Sequence, residues 1–250
     1  MNHDITESKK KIIEAMKQTV TDFFYFTDDE SSVLNVEYLL TVNVAKKLIE
    51  LNKGGFGPYR VYLEHPTKIL ERECLPSVIE RPMPRSRFTR SEMRNYSPYI
   101  SRAGRVDVCV YKEENIYKHP IILVEVKGFN PPLSKIKEDM IRIFQFMNAT
   151  CNTGSSLLKN AFLISLYNYT NISNDEAENR KLDEKREQIK SLIDNLEKED
   201  VCYDITIFSI TNGRASEEII NNYFDLGISE YISDSFMNHL FIGVMIYFYK

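Results

Sequence analysis

The residues best suited to chemistry are Asp107, Glu125 and Lys127, which lie in two short apolar segments, 105–112 and 120–128. In both segments apolar and polar residues alternate, a pattern typical of β-strands. Because successive side chains of a strand point to opposite faces, Glu125 and Lys127 share one face. If the two strands pair as a hairpin, Asp107 meets Glu125 on that face. Two carboxylates and a lysine then converge, which suits a divalent cation beside an amine that can handle a water molecule.

The same residues resemble the motif of the PD-(D/E)XK nuclease superfamily. The likeness consists of Asp107, an 18-residue step to Glu125, and the triplet Glu125-Val126-Lys127 after an apolar run, with Val106 in the place of the family's proline. It covers Glu37 to about Gln145. It implies an α/β domain of restriction-endonuclease-like fold, in which a mixed β-sheet is flanked by helices.

The implied activity is Mg²⁺-dependent hydrolysis of DNA phosphodiester bonds, with Mn²⁺ as a substitute metal and a role in restriction or defence against foreign DNA. Asp107, Glu125 and the carbonyl of Val126 are the expected metal ligands. Lys127 is expected to orient or deprotonate the attacking water, or to neutralise charge on the phosphorane. The alternative function is a non-catalytic nucleic-acid-binding or assembly subunit that keeps the nuclease fold.

Three further residues are implied by the resemblance and have ordinary explanations as well. Many members of the superfamily carry a glutamate on the helix before the sheet, and Glu37 matches that place as a metal ligand, although it also suits a solvated helix surface. The helix after the E-x-K strand often offers Gln, Lys or Arg to the site, which makes Gln145 and Arg142 candidates. A surface ion pair between Asp139 and Arg142 explains the same residues equally well.

The motif itself has a structural alternative, because Asp107, Glu125 and Lys127 also suit the solvent-facing side of an amphipathic sheet, in cross-strand pairs. Against that alternative stands the apolar run 121–124, which is typical of a strand covered on both faces. Charges at the end of such a run are costly unless they are paired or bound to metal. That cost favours a functional site.

A basic segment, 81–105, directly precedes Asp107. It contains seven arginines against Glu92 as its single acid, a charge of +6 in a chain whose total is −4. Guanidinium groups pair with phosphate oxygens, and interleaved aromatic rings can stack on bases, so the segment predicts DNA binding. A solvated loop, or ion pairs with the rest of the chain, would have the same composition. The predicted contacts to DNA are Arg85, Arg87, Arg90, Arg94, Arg102 and Arg105.

Bulk properties indicate one globular domain over residues 1–250, with the motif region at about 33–167 and further strands and helices at 176–250. The composition, 43% hydrophobic and 27% charged, is ordinary for a soluble protein. The four cysteines form no C-x-x-C pair and predict free thiols in a cytoplasmic protein. No segment predicts a membrane span, because the apolar run 240–249 is too short and favours a buried strand or a short core helix. Cleavage of both DNA strands would favour a homodimer.

The order of elements predicts a mixed-sheet α/β domain. Helices are expected at 8–26, 33–51, 133–147 and 176–199, the last with a solvated outer face or, less favoured, a dimer contact. Strands are expected at 59–63, 105–112, 120–128, 161–167 and 203–210, with a turn at 211–214. The helix at 133–147 is expected to be mostly buried and to connect two parallel strands.

Overall fold

The computed structural model describes residues 2–26, 34–52, 57–76, 100, 104–114, 117–151, 154–170, 172, 174–214 and 238–250. Five helices and eight strands are assigned within these ranges. The helices are α1 (Asn2–Phe26), α2 (Val36–Ile49), α3 (Thr67–Glu73), α4 (Leu133–Asn148) and α5 (Asp175–Asp194). The strands are β1 (Tyr59–Pro66), β2 (Arg105–Glu114), β3 (Tyr117–Phe129), β4 (Thr150–Cys151), β5 (Gly154–Ser155), β6 (Asn160–Thr170), β7 (Cys202–Arg214) and β8 (Asn238–Tyr249).

Six strands form one mixed sheet in the order β1-β2-β3-β6-β8-β7, and β4 pairs with β5 separately. Within the large sheet, β3 and β6 are parallel, and the other neighbours are antiparallel. The chain passes from β3 to β6 through α4, which confirms the predicted strand-helix-strand connection. The candidate residues on β3 therefore lie in the interior of the sheet.

Helices cover both faces of this sheet, so the mixed α/β architecture predicted from the sequence is confirmed. On one face, α1 and α2 pack through Met16, Leu40 and Val44 against Val108 and Val124. On the other face, α3, α4 and α5 pack through a second apolar cluster. Both clusters bury their side chains almost completely, as expected for a sheet covered on both sides.

Helix α2 is placed by its sequence pattern. Leu40, Val44 and Leu48 recur at helical spacing and are fully buried. The side chain of Asn35 accepts a hydrogen bond from the backbone N–H of Tyr38 at 3.1 Å and caps the first turn. The helix therefore begins at Val36 rather than at residue 33, because Asn35 supplies the cap.

The structure differs from the expectations in four other respects. Helix α1 begins at Asn2 instead of residue 8, α5 ends at Asp194 instead of 199, and α3 was not predicted. The predicted turn at 211–214 is wrong, because these residues continue β7 and pair with β8 after an irregularity between Ser209 and Thr211. Of the two interpretations of the C-terminal apolar run, the strand is correct. Pairing partners distant in the sequence decided the last two cases.

One of two expectations about the helices on the second face is confirmed. Helix α4 was expected to be mostly buried, but half of its 16 residues are buried, and residues such as Lys137 and Ile141 are exposed. In α5 only Ile189 and Ile193 are buried, so its charged residues form a solvated outer face. None of the described helices combines the length and the apolar character that crossing a membrane requires.

Candidate active site

The pairing of β2 with β3 brings the two motif carboxylates together. Val108 lies opposite Val124 in the antiparallel register, and one further step places Asp107 opposite Glu125. Besides burial, the charge of Asp107 contributes to the raised pKa of Glu125, as expected for neighbouring carboxyl groups. Ionised carboxylates only accept hydrogen bonds, so such a pair attracts only through a shared proton or a cation. The structure thus brings Asp107 and Glu125 together, and their role as metal ligands stays a prediction.

Asp107 is held in place by the backbone of the neighbouring strand. The backbone N–H of Val126 donates a hydrogen bond to Asp107 Oδ2 at 2.7 Å. Burial raises the pKa of Asp107, and this effect exceeds the lowering by the Val126 N–H and by Lys127. The site therefore stabilises the ionised form less than water does.

Glu125 is fully buried, and its two oxygens differ in their surroundings. Oε2 accepts a hydrogen bond from Arg142 Nη2 at 2.5 Å. Oε1 has no hydrogen-bond donor in the described part of the chain. Burial raises the pKa of Glu125 well above its ordinary value, and Arg142 offsets this only in part. A buried oxygen without a donor is costly, and a bound cation removes that cost.

Lys127 lies on the same face of β3 as Glu125, and three oxygens surround its ammonium group. Nζ lies 2.8 Å from the carbonyl oxygen of Val126, 3.0 Å from Asp139 Oδ2 and 3.3 Å from Glu37 Oε1. Burial acts to lower the pKa of Lys127, but the nearby carboxylates, chiefly that of Asp139, raise it on balance. Lys127 is therefore a fixed cation.

Asp139 and Arg142, both on α4, complete the cluster. Arg142 Nη2 lies 3.1 Å from Asp139 Oδ1, and Nη1 donates to the carbonyl oxygen of Arg105 at 3.3 Å. The ion pair of Asp139 with Arg142 forms, but both side chains are buried, so it is not the surface pair that sequence reasoning considered. Asp139 was missed as a site residue. Its sequence signal does not separate it from the adjacent Glu138, which is exposed.

The ion pairs form a continuous chain around the carboxylate pair. It runs from Glu37 to Lys127, then to Asp139, Arg142 and Glu125. With Asp107 included, four carboxylates meet two cations, which leaves a formal excess of two negative charges. A divalent cation matches that excess.

Glu37 lies at the start of α2, beside Lys127, with its side chain 46% exposed. Gly128 makes this contact feasible, because a Cβ there would lie 3.2 Å from the backbone nitrogen of Glu37. Glu37 thus reaches the site through Lys127. Its predicted role as a metal ligand stays a prediction.

Gln145 lies one turn beyond Arg142, where α4 borders a different cavity. That cavity, of about 800 Å³, is also lined by Glu71, Asn148, Asn195 and Glu197. The residues of α4 that contact Glu125 and Lys127 are Arg142 and Asp139. Of the two candidates on α4, Arg142 is therefore the one placed at the carboxylate pair.

A cleft of about 390 Å³ opens beside Lys127. Glu37 and Lys127 contribute polar side chains to its wall, and Lys135 lies at its edge. The remaining lining is Gly128, Phe129, Pro131 and Pro132. The cleft gives a substrate access to the Lys127 end of the cluster.

The oxygen atoms of the carboxylate pair suit a hard divalent cation. Asp107 and Glu125 supply carboxylate oxygens, and Glu125 Oε1 is buried without a donor among the described residues. The carbonyl of Val126 accepts from Lys127 and retains a second lone pair. No group of three or more His, Cys, Asp or Glu side chains is arranged to hold a metal ion within the described ranges. The residues fit an ion such as Mg²⁺, which uses one or two carboxylates and keeps several waters.

Most of the predicted DNA-binding arginines lie outside the described residues. These are Arg85, Arg87, Arg90, Arg94 and Arg102. Arg105 begins β2 and is exposed, and its carbonyl oxygen is the one bound by Arg142. Its position next to the site is compatible with the predicted contact to phosphate.

Comparison with known proteins adds no family. No protein-family model, no curated protein and no solved structure matches the chain. The function is therefore inferred from the geometry of this cluster.

The close approach of Gly128 to α2 leads to a prediction. Gly128→Ala is expected to push the start of α2 away from β3, because the added methyl group meets backbone atoms of Glu37. Overpacking of this kind costs about 1–3 kcal/mol. The free energy of unfolding, from urea denaturation, measures it.

Gly243→Ala in β8 is the matched control, because its added methyl group would lie 2.5 Å from Phe208 Cζ, on the same face of the sheet but away from the site. Both variants should lose stability. Only Gly128→Ala should also lower the DNA cleavage that the sequence motif predicts. Equal cleavage by the two variants would contradict a role for the α2–β3 contact in the site.

Proposed function

We propose that this protein is a Mg²⁺-dependent deoxyribonuclease that hydrolyses DNA phosphodiester bonds in a PD-(D/E)XK-type, restriction-endonuclease-like domain. The observation that carries the proposal is the buried carboxylate pair, in which Glu125 Oε1 has no hydrogen-bond donor among the described residues and Asp107 lies across from Glu125 on the neighbouring strand. A proton or a cation must lie there, and Lys127 stands on the same face, two residues further along β3.

Four residues of the cluster have a role in this reaction. Asp107 and Glu125 would hold the cation, and Arg142 orients Glu125 through a hydrogen bond to Oε2. A bound Mg²⁺ supplies Lewis-acid stabilisation of the phosphate and lowers the pKa of a coordinated water. Lys127 remains protonated, so it donates a hydrogen bond to the attacking water or to a phosphate oxygen instead of taking a proton.

The bond changes are those of phosphodiester hydrolysis. The water oxygen forms a bond to phosphorus, and the bond from phosphorus to the leaving oxygen of the sugar breaks. The proton lost by water passes to solvent, and the leaving oxygen takes a proton from solvent. The residues of the chain thus position the reacting groups and stabilise charge in the transition state, the two main contributions to catalysis of phosphoryl transfer.

Two placements support the resemblance to the nuclease superfamily. Glu37 comes from the helix before the sheet, and Arg142 comes from the helix after the E-x-K strand. Both reach the cluster by ion pairs. The charge of +6 over residues 81–105 supports a nucleic-acid substrate, and the resemblance makes DNA the proposed polymer. A cytoplasmic defence function and a homodimer complete the proposal.

Cleavage assays with purified protein test the proposed function. Supercoiled plasmid is expected to be nicked or linearised with Mg²⁺ or Mn²⁺ and to stay intact with EDTA, and RNA of matched length serves as the competing substrate. Lys127→Ala is expected to lower the rate by about 10²-fold or more. Lys181→Ala, an exposed lysine on α5, is the matched control. A wild-type protein that leaves DNA intact with either metal would contradict the proposal.

A second candidate function is non-catalytic binding of nucleic acid by a domain that keeps this fold. One observation favours it: Arg142 and Lys127 already neutralise much of the carboxylate charge. The two functions separate in one experiment. DNA binding that is independent of metal and unaccompanied by cleavage would favour the binding subunit.

A further inference from the structure

Asp139 is a buried carboxylate that lies at the middle of the ion-pair chain. It is 0% exposed. Its Oδ1 lies 3.1 Å from Arg142 Nη2, and its Oδ2 lies 3.0 Å from Lys127 Nζ. Each of its oxygens thus faces a different cation, and the carboxylate links the lysine of the motif to the arginine that holds Glu125.

The three oxygens around the Lys127 ammonium group differ in how strongly they restrain its position. The Val126 carbonyl is adjacent in the chain, so it restrains only the last bonds of the side chain. Glu37 is 46% exposed, and its interaction at 3.3 Å is weakened by solvent. The ion pair of Lys127 with Asp139 is shorter, and the Asp139 side chain is only 1% exposed. Of these interactions of Lys127, the one with Asp139 is therefore screened least by solvent.

Helix α4 also limits where Asp139 can move. Its neighbours Met140 and Ile143 are fully buried, so the backbone at Asp139 is fixed against the sheet. Arg142, one turn further, holds Oδ1 while it also holds Glu125 Oε2. Through Asp139 and Arg142, helix α4 therefore fixes the positions of Lys127 and Glu125 relative to each other.

We propose that Asp139 is the positioning residue that fixes the Lys127 ammonium group beside the reacting phosphate. This inference rests on the proposed nuclease function and extends it, because nothing in the motif itself assigns Asp139 a role. A lysine side chain has four rotatable bonds, and a neutral asparagine in place of Asp139 would leave the ammonium group without a buried counter-charge. Displacement by about 1 Å in a site of this kind lowers the rate by about 10²-fold.

The test compares Asp139→Asn with the wild-type protein in steady-state DNA cleavage, with Mn²⁺ affinity measured by titration calorimetry. The kcat is expected to fall between about tenfold and 100-fold. The KM for DNA and the Mn²⁺ affinity are expected to stay within about threefold, because the role of Asp139 is exerted through Lys127. Asp139→Glu keeps the charge, and its kcat is expected to lie between those of the Asp139→Asn variant and the wild-type protein.

A purely structural role predicts a different result. In that case the substitution lowers the fraction of folded protein, which circular dichroism measures. The kcat calculated per folded molecule then stays at the wild-type value. That result, or a kcat for Asp139→Glu at or below that of Asp139→Asn, would overturn the inference. So would a fall in Mn²⁺ affinity in proportion to kcat, since it would assign Asp139 to the carboxylate pair.

The remaining outcomes separate the inference from the proposed function. If Asp139→Asn does not fold, Asp139→Glu is tested instead. The inference then predicts a lower kcat with unchanged Mn²⁺ affinity, and an unchanged kcat would contradict it. If the wild-type protein cleaves DNA and both variants match it, only the inference fails. If the wild-type protein does not cleave DNA, the proposed function and the inference both fail.

Discussion

Asp107→Asn and Glu125→Gln are each expected to abolish metal-dependent DNA cleavage while the protein remains folded. The rate should fall by about 10³-fold, which is the usual effect of removing one group that stabilises charge in the transition state. Both substitutions replace an oxygen with an amide nitrogen at nearly constant volume. The buried pair then keeps its shape and loses the charge that attracts a divalent cation.

The two variants are predicted to differ in stability. In Asp107→Asn, the side-chain oxygen can still accept the hydrogen bond from the Val126 N–H. In Glu125→Gln, the ion pair with Arg142 at 2.5 Å is lost, so this variant should be the less stable of the two. Single-turnover cleavage and Mn²⁺ titration measure the function, and urea denaturation measures the stability.

Asp204→Asn provides the control for these variants. Asp204 lies on β7 in an exposed pair with Lys9, with a side chain 57% exposed. Its substitution should leave cleavage and metal affinity at wild-type values. Cleavage that persists in both Asp107→Asn and Glu125→Gln would show that the carboxylate pair does not hold the metal.

Arg142→Ala is expected to destabilise the protein by about 3–5 kcal/mol, the usual cost of removing one partner of a buried ion pair. Arg142 contacts Glu125 and Asp139, both fully buried. Without the guanidinium group Glu125 loses the ion pair of its Oε2, while Asp139 loses one ion pair and keeps that with Lys127. The buried carboxylates must then take up protons or admit water. Chemical denaturation of the variant and the wild type gives the difference in free energy of unfolding.

Arg60→Ala is the matched control, because Arg60 pairs with Glu113 at the surface, with side chains 50% and 37% exposed. Its loss should cost less than about 1 kcal/mol. The double variant Arg142→Met with Glu125→Gln should regain part of the stability lost in Arg142→Ala, since it removes one of the two stranded charges. A cost for Arg142→Ala as small as that for Arg60→Ala would contradict the buried network.

Much of the fold could be predicted because it follows from local patterns. Alternation identified β2 and β3, and helical spacing identified α1 and α2. The period of two along a strand also placed Glu125 and Lys127 on one face, a relation that few residues determine. The register that brings Asp107 opposite Glu125 depends in addition on an irregularity between Val110 and Tyr111, which shifts the pairing by one residue between the turn and the site.

The errors lie where distant segments decide the structure. Residues 211–214 have the composition of a turn, but pairing with β8 extends β7 through them. Helix α3 is only seven residues long and packs through Leu70 and Cys74 into a core that the local sequence does not indicate. Local propensity is a weak term beside burial and pairing.

At the candidate site, the sequence by itself determined the two strands, the face they share and the three residues Asp107, Glu125 and Lys127. Only the tertiary structure decided that Arg142, and not Gln145, meets Glu125, because the placement of α4 against the sheet selects which turn of the helix contacts the pair. It also decided that Asp139 is buried between Lys127 and Arg142. A carboxylate on a helix has the same sequence signal whether it meets water or two buried cations, and only packing separates the two.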